Sequence, residues 1–213
     1  MIGRFVGFDL DLTLIDSRPG IGAVYQELAR RTGVAIDVSS IRIGPPLESE
    51  LARFFPAAEV PAVADLYREL YPAYAIESSP PAPGALDAVA AVRDAGGRVV
   101  VISSKYEPNV EAHLVHCGFT VDAVVGWAYA DGKRDALRKY DALAYVGDYE
   151  ADMQAAVAAG VTAVGVATGP TTTAELTAAG ADVVLPDLTG FRGWLAGHLA
   201  SIESRLGVPP SSR

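Results

Sequence analysis

The chain has 213 residues, of which half are hydrophobic and 20% are charged. That supplies enough apolar surface for one packed domain, or for a core domain with a small inserted one, and too little charge bias for disorder. Acidic residues outnumber basic ones 26 to 17, a net charge of −9, which argues against non-specific nucleic-acid binding by phosphate neutralisation.

A lone cysteine, Cys117, excludes an internal disulfide and a cysteine-based zinc cluster. The N-terminal segment reaches Asp9 too early for the apolar stretch of a signal peptide. No apolar run approaches the ~18 residues of a membrane helix. The expectation is a cytoplasmic protein without a membrane or nucleic-acid partner.

In chain order, Phe5–Phe8 is a short apolar run stopped by Asp9, the pattern of a buried strand. Arg18–Thr32 carries Ile21, Val24, Tyr25 and Leu28 on one helical stripe, and Gly33 ends it. Helical stretches at Leu47–Phe55 and Ala62–Tyr74 follow, punctuated by Pro45, Pro46, Pro56, Pro61 and Pro72, with no strong strand between them. Ser78–Gly84 reads as a linker.

The rhythm then changes to helices at Ala85–Ala95, Pro108–Cys117, Lys133–Tyr140, Ala151–Ala159 and Thr172–Ala179. They alternate with strands at Arg98–Ile102, Val121–Val125, Ala142–Val146, Val161–Val166 and Asp182–Leu185, before a last helix at Phe191–Leu206. Such alternation through short loops predicts an α/β, doubly wound, mostly parallel sheet. The tail Pro209–Arg213 reads as frayed.

Ligands of such sheets sit beyond the carboxyl ends of the strands, so the polar residues there carry the argument. The first strand ends in Asp9-Leu10-Asp11-Leu12-Thr13, two carboxylates that share a direction if the chain stays extended. A cation held by oxygen ligands would relieve their repulsion; a solvated Asp-rich turn fits the same letters. Val99–Ile102 is followed by Ser103-Ser104-Lys105, hydroxyls and an ammonium suited to phosphate oxygens, or simply a helix cap. Val146-Gly147-Asp148 leads to Asp152 four residues on, a further acid pair at a helix start, where the dipole alone would favour acids.

Two acids, then hydroxyls with a lysine, then two acids: that order resembles the haloacid dehalogenase superfamily of phosphohydrolases. Phe8–Ser17 is similar to its first motif and Gly147–Asp152 to its fourth, and the nearest subgroup is the phosphoglycolate phosphatase-like enzymes with a helical cap. The resemblance implies a Rossmann-like core over residues 1–17 and 80–213 and a small α-helical cap over 18–79, with Ile43–Leu47 similar to a recurring cap segment.

It further implies Asp9 as nucleophile, Asp11 as general acid and base, and Ser103 as phosphoryl ligand. Lys133 would neutralise charge, with Lys139 as the other candidate. Mg²⁺ would be held by Asp9, the backbone carbonyl of Asp11, Asp148 and Asp152. Thr13, Ser104, Lys105 and Arg42 are candidates for substrate contact. Leu12 stands where the family usually has glycine.

The activity implied is hydrolysis of a small phosphate monoester through an aspartyl-phosphate, by a monomer or homodimer. A phosphomutase of the β-phosphoglucomutase type would share every core residue, and a non-catalytic phosphometabolite-binding protein would keep the fold. A receiver-type signalling domain would place its accepting Asp after a middle strand, where this chain has Ser103. His113 and His116, three apart, read as partly buried structural histidines. Trp127 and Tyr129 read as residues of the site entrance or the core. Arg18, Arg42 and Arg53 belong to the cap side.

Overall fold

A computed structural model describes residues 4–205. Six parallel strands form one sheet in the order β3-β2-β1-β4-β5-β6: β1 (Phe5–Phe8), β2 (Arg98–Ile102), β3 (Ala123–Val125), β4 (Ala142–Gly147), β5 (Thr162–Val166) and β6 (Val183–Leu185). The chain winds outward from β1 to β3 and then resumes at β4 on the other side of β1. The order therefore reverses between β1 and β4, where open parallel sheets leave a crevice beyond the strand ends.

Strand alternation sorts the side chains into two apolar layers. Val6, Phe8, Val99 and Val101 pack with α4 (Ala85–Asp94), α5 (Glu107–His116) and α9 (Phe191–Arg205) on one face. Phe5, Val100, Ile102 and Tyr145 pack with α6 (Asp131–Lys139), α7 (Glu150–Ala159) and α8 (Thr173–Ala178) on the other. Central strands apolar on both faces need a helix layer on each side, which is why this sheet is parallel and doubly wound.

The segment between β1 and α4 holds helices only: α1 (Arg18–Thr32), a 3₁₀ turn at Val38–Ser40, α2 (Leu47–Leu51) and α3 (Val60–Ala75). Its apolar residues form a cluster of their own, built on Ile21, Val24, Leu28, Leu51, Val63 and Tyr71. Gly20 allows α1 to approach the end of α3, because a Cβ there would lie 2.6 Å from the Ala75 carbonyl oxygen and 2.5 Å from Ser79 Oγ.

Several elements differ from the sequence expectation. α2 stops at Leu51 and gives way to a turn before Phe55-Pro56, since proline disfavours helical backbone in the residue before it. α3 begins two residues earlier and ends one later than expected, at Val60 and Ala75, with Pro72 inside it; packing of Tyr71 and Ala75 into the lobe core outweighs the lost hydrogen bond. The Ser78–Gly84 linker is partly structured. Asp16 N–H donates to Pro80 O and Ala82 N–H donates to Leu14 O, each at 2.9 Å, so the two connections to the lobe run antiparallel. β3 begins at Ala123, two residues late. The expected end of the last helix at Leu206 and the tail Pro209–Arg213 lie outside the described residues. No helix among the described residues is long and apolar enough to cross a membrane.

Gly20→Ala places a methyl against backbone that cannot retreat. It should lower unfolding free energy by about 1–3 kcal/mol in a denaturant titration; an unchanged midpoint would mean that α1 and α3 are not locked at this contact.

Candidate active site

The first loop delivers both of its acids to the crevice. Asp9 N–H donates to Val146 O of β4 at 2.8 Å, which extends the β1–β4 ladder by one residue and fixes Asp9 beside Asp148. Leu12 then takes a left-handed backbone, φ +57°, a conformation that glycine adopts most readily. For leucine the cost is about 1 kcal/mol, offset by a side chain only 4% exposed. Thr168 after β5 donates its hydroxyl to the Leu12 carbonyl and clamps the turn.

Asp9, Asp148 and Asp152 are all buried, and one oxygen from each lies within 4.8 Å of the others. Lys133, in the first turn of α6, enters this cluster: its Nζ is 3.1 Å from Asp9 Oδ1 and 2.5 Å from Asp152 Oδ1. Asp152 Oδ2 accepts the Tyr149 N–H at 3.1 Å, so this acid also caps its own helix. Glycines make room. A Cβ at Gly147 would sit 2.4 Å from Asp152 Oδ2, and one at Gly169 would sit 1.8 Å from Asp148 Oδ2.

Three carboxylates against one ammonium leave excess negative charge in a dry place. Burial, with repulsion from Asp152 and Asp11, pushes Asp9 up to about 7 despite Lys133. Burial and the same crowding push Asp148 well above the carboxylate range. The field of Asp152 and Asp9 holds Lys133 charged, although burial opposes it. Hard oxygen donors with surplus charge suit Mg²⁺, so the residues present fit that ion.

Asp11 has a separate environment. Its Oδ1 lies 2.9 Å from Lys105 Nζ, and Lys105 Nζ also donates to the Tyr71 hydroxyl at 2.6 Å. Tyr71 OH meets His113 Nε2 at 3.0 Å. Burial works to raise Asp11, but Lys105 and the Ser17 hydroxyl outweigh it, and its pKa falls below the ordinary carboxylate value. His113 is lowered to about 4, by burial and then by Lys105.

The remaining sequence candidates fall as follows. Ser103 is buried directly after β2, and its Oγ accepts the Lys105 N–H at 3.2 Å. The Thr13 hydroxyl is fully buried and donates to Asp148 Oδ1 at 3.1 Å, where it orients that acid. Ser104 donates to Gly44 O of the lobe at 3.1 Å. Arg42 lines the cavity between lobe and core but is paired with Glu50 at 2.8 Å. Arg53 joins the same carboxylate, and Arg18 is paired with Asp16.

Lys139 is exposed in the last turn of α6, against the Tyr140 ring and away from the acids. His116 is exposed, contrary to the expectation of burial; only His113 is buried. Trp127 and Tyr129 line the cavity mouth. Sequence reasoning missed Thr168 and Gly169. They follow β5, and the strand-end rule applied to β1, β2 and β4 would have found them.

The model for haloacid dehalogenase-like hydrolases matches residues 6–166. Tyrosine-protein kinase PtkA of Mycobacterium tuberculosis is 29% identical over 184 residues, covering 78% of this chain and 62% of that relative; the match thus spans under two thirds of the relative's length. Phosphoglycolate phosphatase of Caulobacter vibrioides is 29% identical over 113 residues, 48% of each chain. Among solved structures, one described as a predicted phosphatase from Clostridium acetobutylicum superposes with a TM-score of 0.78. It is 25% identical, with 92% of this chain and all of that one covered.

His113, neutral in the fold, must stay unprotonated down to about pH 4, whereas an unfolded histidine protonates near 6.5. Its contribution is therefore intact above pH 6.5 and lost as pH falls toward 4, by about 3 kcal/mol at most. The difference in unfolding free energy between wild type and His113→Gln should shrink across that window; parallel pH profiles would contradict the assignment. Sequence match, strand order and the acids flanking the switch point agree: the chain belongs to the haloacid dehalogenase-like hydrolase family.

Proposed function

We propose that the chain is a Mg²⁺-dependent phosphatase hydrolysing a small phosphate monoester through an aspartyl-phosphate on Asp9. The observation that carries this reading is the convergence of Asp9, Asp148 and Asp152 on buried Lys133 where the strand order reverses. Family membership supports it, as does the likeness to proteins described as phosphatases.

Asp9, the Asp11 backbone carbonyl and Asp148 would hold the ion, with Asp152 and Thr13 orienting them. When bound, it supplies positive charge that lets an anionic phosphate enter among carboxylates. Lys133 and Ser103 steady the phosphoryl oxygens. An Asp9 oxygen bonds to phosphorus while the ester P–O bond breaks, and Asp11 gives its proton to the departing alkoxide. Asp11 then takes a proton from the water that attacks phosphorus, releasing inorganic phosphate and the Asp9 carboxylate.

Asp11 must be protonated to begin, yet Lys105 holds it ionised at rest. A substrate phosphate that draws Lys105 toward itself removes the cause of that low pKa. The helical segment 18–79 acts in this reading as a cap over a core of 1–17 and 80–213, swinging on the paired connections at 14–16 and 80–82 and excluding water when closed.

The test is phosphate release from a panel of phosphate monoesters with Mg²⁺ or excess EDTA, combined with intact mass. Turnover should require Mg²⁺. Asp9→Asn should lose both turnover and phosphoenzyme. Asp11→Asn should lose ~10²–10⁴-fold on alkyl esters, and with an activated aryl phosphate, whose leaving group departs unaided, it should accumulate a phosphate-sized mass increase where dephosphorylation limits the rate. Full turnover in EDTA, or a phosphoenzyme on Asp9→Asn, contradicts the proposal. The mycobacterial relatives favour a second reading, phosphoryl transfer to tyrosine; phosphotyrosine formed from ATP without net phosphate release would select it.

A further inference from the structure

The cavity between lobe and core, beside Asp11, is where the leaving group of a bound ester would lie, and its chemistry is specific. Among the described residues lining it are three cations and three acids, and they answer one another. Lys105 pairs with Asp11, Arg42 with Glu50, and Arg68 with Glu48. Arg68 also pairs with Asp65 at 3.2 Å. The lining thus carries no net charge, and each cation already has its carboxylate. Arg53 reaches Glu50 as well. A leaving group with its own carboxylate or second phosphate would have to draw a cation out of one of these pairs.

Its aromatic content points the other way. Trp127 is 54% exposed at the mouth, large for an indole. Its backbone is left-handed, φ +56°, a conformation that tryptophan adopts only when held. It is held by its own N–H donating to Lys105 O at 2.9 Å, with Ala128 N–H donating to Ser103 O beside it. The strand end that presents Ser103 therefore also fixes Trp127. One side of the indole meets the Tyr106 ring, edge-on at 5.4 Å. The Arg68 guanidinium stacks over it at 4.6 Å. The cavity volume is about 130 Å³; a cavity of roughly 150 Å³ accommodates benzene.

We infer that the preferred substrate, within the phosphatase reading on which this rests, is a small phosphate monoester of an uncharged alcohol bearing a single flat ring, packed beside Trp127. Carboxylated esters such as phosphoglycolate are disfavoured. Flat rings gain contact with the exposed aromatic edge at the mouth, and the neutral lining imposes no penalty on them, whereas an extra anion meets only cations that are already paired.

Benzyl phosphate, ethyl phosphate and phosphoglycolate all depart as alkoxides, so their comparison isolates the side group. With Mg²⁺ present, kcat/KM should be at least tenfold higher for benzyl phosphate than for either other ester. Trp127→Ala should erase most of that advantage through KM, bringing the benzyl phosphate kcat/KM down to within a few-fold of that for ethyl phosphate in the same variant. Phosphoglycolate turned over as well as benzyl phosphate, or a benzyl preference intact in Trp127→Ala, overturns the inference. Binding of the unreactive benzylphosphonate and phosphonoacetate, followed by tryptophan fluorescence, separates the two claims. Tenfold tighter binding of benzylphosphonate without release from any ester leaves the pocket assignment standing and removes the phosphatase. Equal binding of the two removes the pocket assignment, whatever the turnover.

Discussion

Crowding of buried carboxylates at the reversal of strand order is the constraint around which the rest of this molecule is arranged. Asp9, Asp148 and Asp152 are brought within one ion's reach, and a single buried lysine answers them. Unpaired buried charge is expensive, so this cluster tolerates little variation around it. Gly147 and Gly169 are excluded volumes for anything larger. Thr13 and the α7 N-terminus hold two of the acids by hydrogen bonds. Even the strained Leu12 turn belongs to this set, since it lets the chain leave β1 and still return Thr13 to Asp148.

The second acid of the first loop is treated oppositely. Asp11 has a lysine to itself, and that lysine is steadied by a tyrosine of the lobe and, beyond it, a histidine of the core. Two aspartates two residues apart thus sit in environments that move their acidities in opposite directions. At rest that split is the reverse of what the proposed nucleophile and proton donor need: a cation among the acids would lower Asp9, and a phosphate that draws Lys105 away would raise Asp11. Because Tyr71 belongs to α3, the position of the lobe bears directly on the state of Asp11.

Much of this was legible in the sequence, for reasons that can be named. The alternation of apolar runs with amphipathic helices after Ala85 follows from burial on both sheet faces. The acids stood out because they followed apolar strands directly. Lys133 was separable from Lys139 only by its place at the start of a helix, and in the fold it is the one that reaches Asp9. What the sequence hid depends on partners distant in the chain. Arg42 read as a candidate for substrate contact but is paired with Glu50, which Arg53 also reaches. Thr13 read as a substrate contact but is bonded to Asp148, 135 residues away. The left-handed Trp127 and the ring of paired charges around the cavity have no local signature at all.

The central claim is that the Asp9–Asp148–Asp152 cluster is a cation site whose acids are partly protonated while it awaits its ion. Calorimetric titration of Mg²⁺ at pH 7, in buffers of different ionisation enthalpy, tests it most directly. With Asp9 raised to about 7 and Asp148 raised as well, saturable 1:1 binding should release roughly half a proton or more per ion. Asp148→Asn should abolish the binding. Binding that releases no proton, or that survives Asp148→Asn unweakened, would contradict the account.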